Sequence, residues 1–204
     1  MMQPADQQKP EERAAGAGRP DRVRRLFAGV AVAAPDGLRS LVAALQRELR
    51  GERIRWTRLE KLHLTVEFFG NTAEARIPGL AAVLAQAAAD SRPFPVQLGG
   101  LGVFGGRRNP RVVWLGATSD GLRRLHEHVQ ARLRAAGGIP DARPFAPHLT
   151  LGRLDRLRNP ADFLARLAAV RVPPVPAQEI RELILYESAA GQYTPLERWP
   201  LSGT

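Results

Sequence analysis

Apolar and polar positions along this chain fall into short segments of two different periods. Residues 1–22 are rich in Gln, Pro, Ala, Gly, Glu and Arg and have no hydrophobic period, which predicts a disordered leader ahead of one domain over 23–204. A compact apolar run over 24–34 predicts a central strand, ended by Pro35 and Asp36. Leu38, Leu41, Val42, Leu45 and Leu49 then follow at helical spacing and predict an amphipathic helix over 36–50, stopped by Gly51. Residues 54–57 read as a short extended segment and 61–69 as a strand closed by Gly70 and Asn71. An alanine-rich helix over 73–89 contains Pro78 and Gly79, which places its start near Pro78.

The second half repeats the alternation. Strands over 94–105 and 112–115 flank a turn at Asn109 and Pro110, a β-hairpin pattern. Leu122, Leu125, Val129 and Leu133 predict one buried face of a helix over 119–136, capped by Ser119 or Asp120. A strand at 147–153, a helix at 160–169 behind Asn159, a stiff extended stretch at 172–176 and a closing hairpin of strands at 180–188 and 194–201 complete the chain. Roughly eight strands and four helices in this order predict an α+β fold, antiparallel sheet with helices packed outside.

Two of the strands carry the same text. Leu62-His63-Leu64-Thr65-Val66-Glu67-Phe68 and Pro147-His148-Leu149-Thr150-Leu151-Gly152-Arg153 each contain His-Leu-Thr followed by a branched apolar residue, and they hold two of the four histidines. Side chains alternate across a strand, so His63 and Thr65 share one face and His148 and Thr150 another, each backed by apolar neighbours. If the two halves are related by a pseudo-twofold, both faces meet across one cleft. Two imidazoles and two hydroxyls suit in-line attack at phosphorus: one neutral imidazole takes a proton from the nucleophile and one protonated imidazole gives a proton to the leaving oxygen. Hydroxyls and a nearby arginine would hold the non-bridging oxygens. Glu67 is placed by alternation on the His63 face, either orienting the imidazole or solvated.

The paired motifs resemble the two-histidine (2H) phosphoesterase superfamily. Their flanks are Arg25-Leu26-Phe27-Ala28-Gly29-Val30, Arg111-Val112-Val113-Trp114-Leu115-Gly116 and Phe145-Ala146 ahead of the second motif. In that order they resemble the bacterial and archaeal RNA 2′,3′-cyclic phosphodiesterases, also called 2′-5′ RNA ligases. The likeness runs from about residue 24 to the C-terminus. It implies two pseudo-symmetric lobes of antiparallel sheet around a central cleft, and hydrolysis of a terminal 2′,3′-cyclic phosphate on RNA to a 2′-phosphate without metal or other cofactor. By resemblance His63 is the proton donor, His148 the proton acceptor, and Thr65, Thr150 and Arg153 bind the phosphate. Arg153 stands at an odd offset from His148, so in an ideal strand it would face the other way; it needs a bend or bulge to help. Physiological 2′-5′ ligation through the same site and a non-catalytic module that binds RNA ends are the alternatives.

Composition adds little to this. The chain has 30 basic and 20 acidic residues, a formal net charge of +10, and lysine only at Lys9 and Lys61. Arginine suits phosphate through its planar fork, which fits an RNA partner such as tRNA fragments; a GC-rich genome would produce the same bias. Cysteine is absent, which excludes disulfide and thiol chemistry. No apolar run approaches a membrane span and the N-terminus has no hydrophobic signal core, so a cytoplasmic monomer without membrane contact is the expectation. Gly100-Leu101-Gly102-Val103-Phe104-Gly105 fits a dinucleotide-binding fingerprint, but strand text rather than a helix follows it, so that reading is rejected. Arg107, Arg108 and Arg111 read as a solvated hairpin tip. Trp56 is assigned to the core, with base stacking as its alternative. His126 and His128 lack the spacing of a helical metal pair and are expected on the surface. Tyr186 and Tyr193 are expected to be structural.

Overall fold

The computed structural model describes residues 22–203; the leader predicted over 1–22 therefore lies, but for its last residue, outside the described residues. Nine strands, four α-helices and two 3₁₀ turns are found among the described residues: β1 (Val23–Ala31), α1 (Asp36–Glu48), β2 (Ile54–Trp56), β3 (His63–Ala73), α2 (Ile77–Ala89), β4 (Phe94–Phe104), β5 (Val112–Thr118), α3 (Asp120–Ala135), β6 (His148–Leu154), α4 (Pro160–Ala169), β7 (Gln178–Ile180), β8 (Glu182–Ala189) and β9 (Gln192–Pro200), with turns at Leu59–Lys61 and Glu74–Arg76. The fold is α+β, as the pattern predicts.

The helices start where their caps dictate. The Ser119 hydroxyl accepts from the Leu122 N–H at the head of α3, and the Asn159 side chain accepts from the Asp162 N–H at the head of α4, with Pro160 in the first turn. α2 begins at Ile77 with Pro78 in its first turn, where a missing N–H costs nothing.

The strands follow one antiparallel path, β7-β4-β5-β6-β3-β1-β8-β9, with β2 added beside β6. The two halves, β4-β5-β6 and β3-β1-β8, join where Leu64 of β3 pairs with Leu149 of β6. β7 pairs with β4 in one half and β8 with β1 in the other, yet only Arg181 separates them. The sheet must therefore curl until its ends approach, which makes a half-barrel. This divides the strand expected at 180–188: Ile180 closes the β4 edge and Glu182 opens the β8 strand. The apolar face of the sheet, including Leu64, Val66, Leu149 and Leu151, is buried with Leu122, Leu125 and Val129 of α3 and Leu41 and Leu45 of α1 in one core.

The first motif strand also differs from expectation at both ends. Lys61 lies in a 3₁₀ turn, and β3 continues to Ala73 because Val23–Leu26 of β1 pairs with residues 70–73. Gly70, with φ of 65°, sits inside the strand and supplies the left-handed residue at this irregularity.

Candidate active site

Each motif histidine is held in the same way. The Nδ1 of His63 lies 2.9 Å from the Lys61 carbonyl and that of His148 lies 2.7 Å from the Ala146 carbonyl, two residues back in each case. A carbonyl only accepts, so each Nδ1 carries the hydrogen and each Nε2 is left to exchange a proton. Leu64 and Leu149, one residue after each histidine, are the paired residues at the centre of the sheet, and Thr65 and Thr150 return to the histidine face beyond them.

Both motif strands then bulge at the same place. Gly29 pairs with Thr65 and Ala28 with Glu67, so Val66 is an extra residue in β3. Trp114 pairs with Thr150 and Val113 with Gly152, so Leu151 is an extra residue in β6. A bulge reverses alternation beyond it. Arg153 is thereby brought onto the face of His148 and Thr150, which resolves its odd offset. The same device corrects the expectation for Glu67. It is turned away from His63 into the interior, where it is 2% exposed, and Phe68 takes the cleft face instead.

Thr65, Phe68, Phe104, Arg143, His148, Thr150 and Arg153 line a cavity of about 410 Å³ on the concave side of the sheet. His63 sits beside Thr65, walled by the rings of Phe27 at 4.9 Å, Tyr193 at 4.8 Å edge-on and Tyr186 at 5.7 Å. The two tyrosines thus hold the His63 imidazole, in keeping with the structural role expected. His148 has the Phe104 ring edge-on at 4.7 Å. Burial lowers the pKa of both histidines, and the positive Arg153 lowers both further; His148 adds to the effect on His63. Arg153 is thus close enough to act on both imidazoles.

His126 is not the surface residue expected. Its side chain is 13% exposed, its ring stacks on Phe145 at 4.0 Å, and its Nδ1 donates to the carbonyl of the bulged Val66 at 2.8 Å. The signal was in the sequence: His126 stands four residues after Leu122 and three before Val129, on the buried face of α3. Glu67 beside it accepts from the Asp141 N–H at 2.5 Å and from the Gln130 amide at 3.3 Å. Burial pushes its carboxyl up against those hydrogen bonds. Glu67 and His126 therefore fasten the segment leading to His148 onto β3. His128 is also half-buried, bonded to Ser91 at 2.9 Å. Arg107, Arg108 and Arg111 are exposed, as expected of a hairpin tip. No helix follows the glycine-rich stretch, which bears out the rejection of a dinucleotide fold. Among the described residues no helix is long and apolar enough to cross a membrane, and no three His, Asp or Glu side chains converge as a metal site requires.

A curled antiparallel sheet that carries one His-Leu-Thr motif in each half, with Thr65, His148, Thr150 and Arg153 lining one cavity and His63 beside it, fits the two-histidine phosphoesterases. The comparisons agree. The model of the 2′-5′ RNA ligase superfamily matches residues 32–192, and the chain belongs to that family. It is 32% identical over 154 residues to an RNA 2′,3′-cyclic phosphodiesterase of Geobacillus stearothermophilus, covering 72% of this chain and 48% of that one, so the match spans about half of that relative. Against the RNA 2′,3′-cyclic phosphodiesterase of Methanothermobacter thermautotrophicus it is 30% identical over 162 residues, covering 76% and 88%. The structure is similar to the Thermus thermophilus protein TT0787 (TM-score 0.71, 30% identity, 88% and 98% of the two chains). It is also similar to E. coli LigT complexed with 3′-AMP (TM-score 0.65, 27% identity, 89% and 99%).

Proposed function

We propose that this protein is a cytoplasmic RNA 2′,3′-cyclic phosphodiesterase that opens a terminal cyclic phosphate to a 2′-phosphate without a metal. The observation that carries this reading is the equivalence of the two imidazoles: same tautomer, same strand position, one arginine acting on both. The names of the relatives and the nucleotide held by LigT support an RNA end as the ligand.

His148 Nε2 takes a proton from water as the water oxygen bonds to phosphorus. The bond to the 3′ oxygen breaks, and His63 Nε2 gives that oxygen its proton. Thr65, Thr150 and Arg153 hold the non-bridging oxygens as charge builds on them. The depressed pKa of His63 in the free protein does not oppose its role as acid, because a bound phosphate anion favours the protonated imidazole. With the 5′-hydroxyl of a second RNA end in place of water, the same step forms a 2′-5′ phosphodiester as the bond to the 3′ oxygen breaks; the two histidines exchange roles only when that linkage is cleaved back to the cyclic phosphate.

The test is turnover of an RNA oligomer ending in a 2′,3′-cyclic phosphate, in EDTA, by the wild type and by His63→Ala and His148→Ala. Turnover by the wild type and its loss in both variants is expected. Binding without turnover would favour an RNA-end-binding module, and activity restored only by added metal would favour a metallohydrolase.

A further inference from the structure

The two motif histidines differ in what stands behind their carbonyl partners. Lys61, whose carbonyl accepts from His63, lies in a 3₁₀ turn closed by its own backbone. The Lys61 N–H donates to the Arg58 carbonyl at 2.9 Å and the Leu62 N–H to the Leu59 carbonyl at 3.4 Å. Ala146, whose carbonyl accepts from His148, lies in a stretch without helix or strand, residues 138–147. Among the described residues, no backbone–backbone hydrogen bond involves residues 139–146, and Pro140 and Pro144 have no N–H to offer. Side chains hold this stretch instead. Glu67 accepts from the Asp141 N–H at 2.5 Å, and the Gln130 amide donates to the Asp141 carbonyl at 3.2 Å and to Glu67 at 3.3 Å. The His126 ring lies flat on Phe145, one residue before Ala146, with ring centres 4.0 Å apart and planes 8° from parallel. The bulge in β3 supplies both anchors. It turns Glu67 inward, and it leaves Val66 out of the pairing with β1, where the Val66 carbonyl accepts from His126 at 2.8 Å.

A neutral imidazole can act as a base at Nε2 only while its hydrogen sits on Nδ1. With the Ala146 carbonyl out of place, His148 loses the acceptor that keeps it there, and the Nε2–H tautomer has no free lone pair at Nε2 to take a proton from water. We propose that Glu67, Gln130 and His126 are positioning residues for His148: they hold residues 141–146 so that the Ala146 carbonyl fixes the tautomer the base requires. Glu67, on the first motif strand, thus serves the histidine of the second. His63 is independent of them, because its partner carbonyl belongs to a turn that bonds to itself. The proposal rests on the phosphodiesterase reading above for the use His148 makes of Nε2, and deepens it; the hold on the tautomer stands apart from that reading.

The test is long-range proton–nitrogen NMR correlation of the histidine rings at about pH 8, above the ordinary histidine pKa, joined to kinetics on an RNA oligomer ending in a 2′,3′-cyclic phosphate. In the wild type both motif rings should carry hydrogen on Nδ1. In Glu67→Ala and in His126→Ala the His148 signals should move toward the Nε2–H form while those of His63 stay, and kcat should fall about 10–10²-fold with KM little changed. Glu67→Gln, which keeps an acceptor for the Asp141 N–H, should restore most of both readings. Gln130→Ala places a strong helix former in α3, so it folds even where the buried substitutions do not, and its His148 should shift in the same direction. A His148 tautomer unchanged in the folded variants, or one that changes together with that of His63, overturns the proposal. If the wild type turns over no substrate, the phosphodiesterase reading fails by itself; the ring signals are read without substrate and still decide for or against the positioning role.

Discussion

Phe68 and Arg153 occupy equivalent places in the two halves of the sheet: each stands five residues after its motif histidine, and each is turned onto the histidine face by a one-residue bulge, at Val66 and at Leu151. The imidazoles and hydroxyls are duplicated by the pseudo-twofold, but these two positions are not. One half offers a cation that lowers the pKa of both histidines. The other offers an aromatic ring, 41% exposed, with the Arg143 guanidinium 5.0 Å from its centre. The two-histidine pair is thus repeated, while the position five residues on is a cation in one half and an aromatic ring in the other.

Loss of either imidazole should be costly and local. His63→Ala and His148→Ala are each expected to lower kcat about 10²–10⁴-fold, with circular dichroism unchanged and a cooperative melt retained. A double variant that keeps wild-type activity would remove the site altogether.

Burial and Arg153 together should place the pH range of the activity. The proposed mechanism requires one neutral and one protonated imidazole, so kcat/KM should be bell-shaped in pH, with limbs reporting the free protein. Burial first, then Arg153, holds both pKa values down, so the bell should sit on the acid side of the ordinary histidine value of about 6.5. Arg153→Gln removes a positive charge and lets both rise. Its bell should move to higher pH while its height falls about 10²–10³-fold. A lower bell at the same position would mean that Arg153 does not act on the imidazoles.

Glu67 makes stability depend on pH. Burial raises its folded pKa above the ordinary carboxylate value of about 4.3. Its favourable contribution is therefore complete below that value and is lost as pH rises through the folded pKa, where a charge has to be kept buried. Glu67→Gln keeps a hydrogen-bond acceptor and has no charge to bury. The melting temperature of the wild type should therefore fall relative to Glu67→Gln between pH 4 and 7, and a difference independent of pH would contradict this. Glu67→Ala should cost about 1–3 kcal/mol by leaving the Asp141 N–H without its acceptor.

The elements that carry a period were legible in the sequence: the buried stripe of α3, the caps at Ser119 and Asn159, and the two His-Leu-Thr strands. The bulges were not. Alternation from His63 puts Glu67 in the cleft, and alternation from His148 puts Arg153 outside it; a single extra residue in each strand reverses both. Nothing in Val66 or Leu151 marks a bulge, because pairing with β1 and β5 creates it. The short β7 has no period of its own in the sequence; its three residues form a strand only through their partner Phe94–Val96. His126 is a different kind of miss, since its helical spacing already pointed inward and only its polarity argued for the surface.

In the proposed reaction two imidazoles open a cyclic phosphate by breaking the bond to the 3′ oxygen. Phosphorus NMR of the product from an RNA oligomer ending in a 2′,3′-cyclic phosphate, incubated with the protein in EDTA, tests it most directly. A single 2′-phosphate resonance is expected. A 3′-phosphate product would contradict the assigned leaving oxygen, and an unchanged cyclic phosphate would contradict the activity itself.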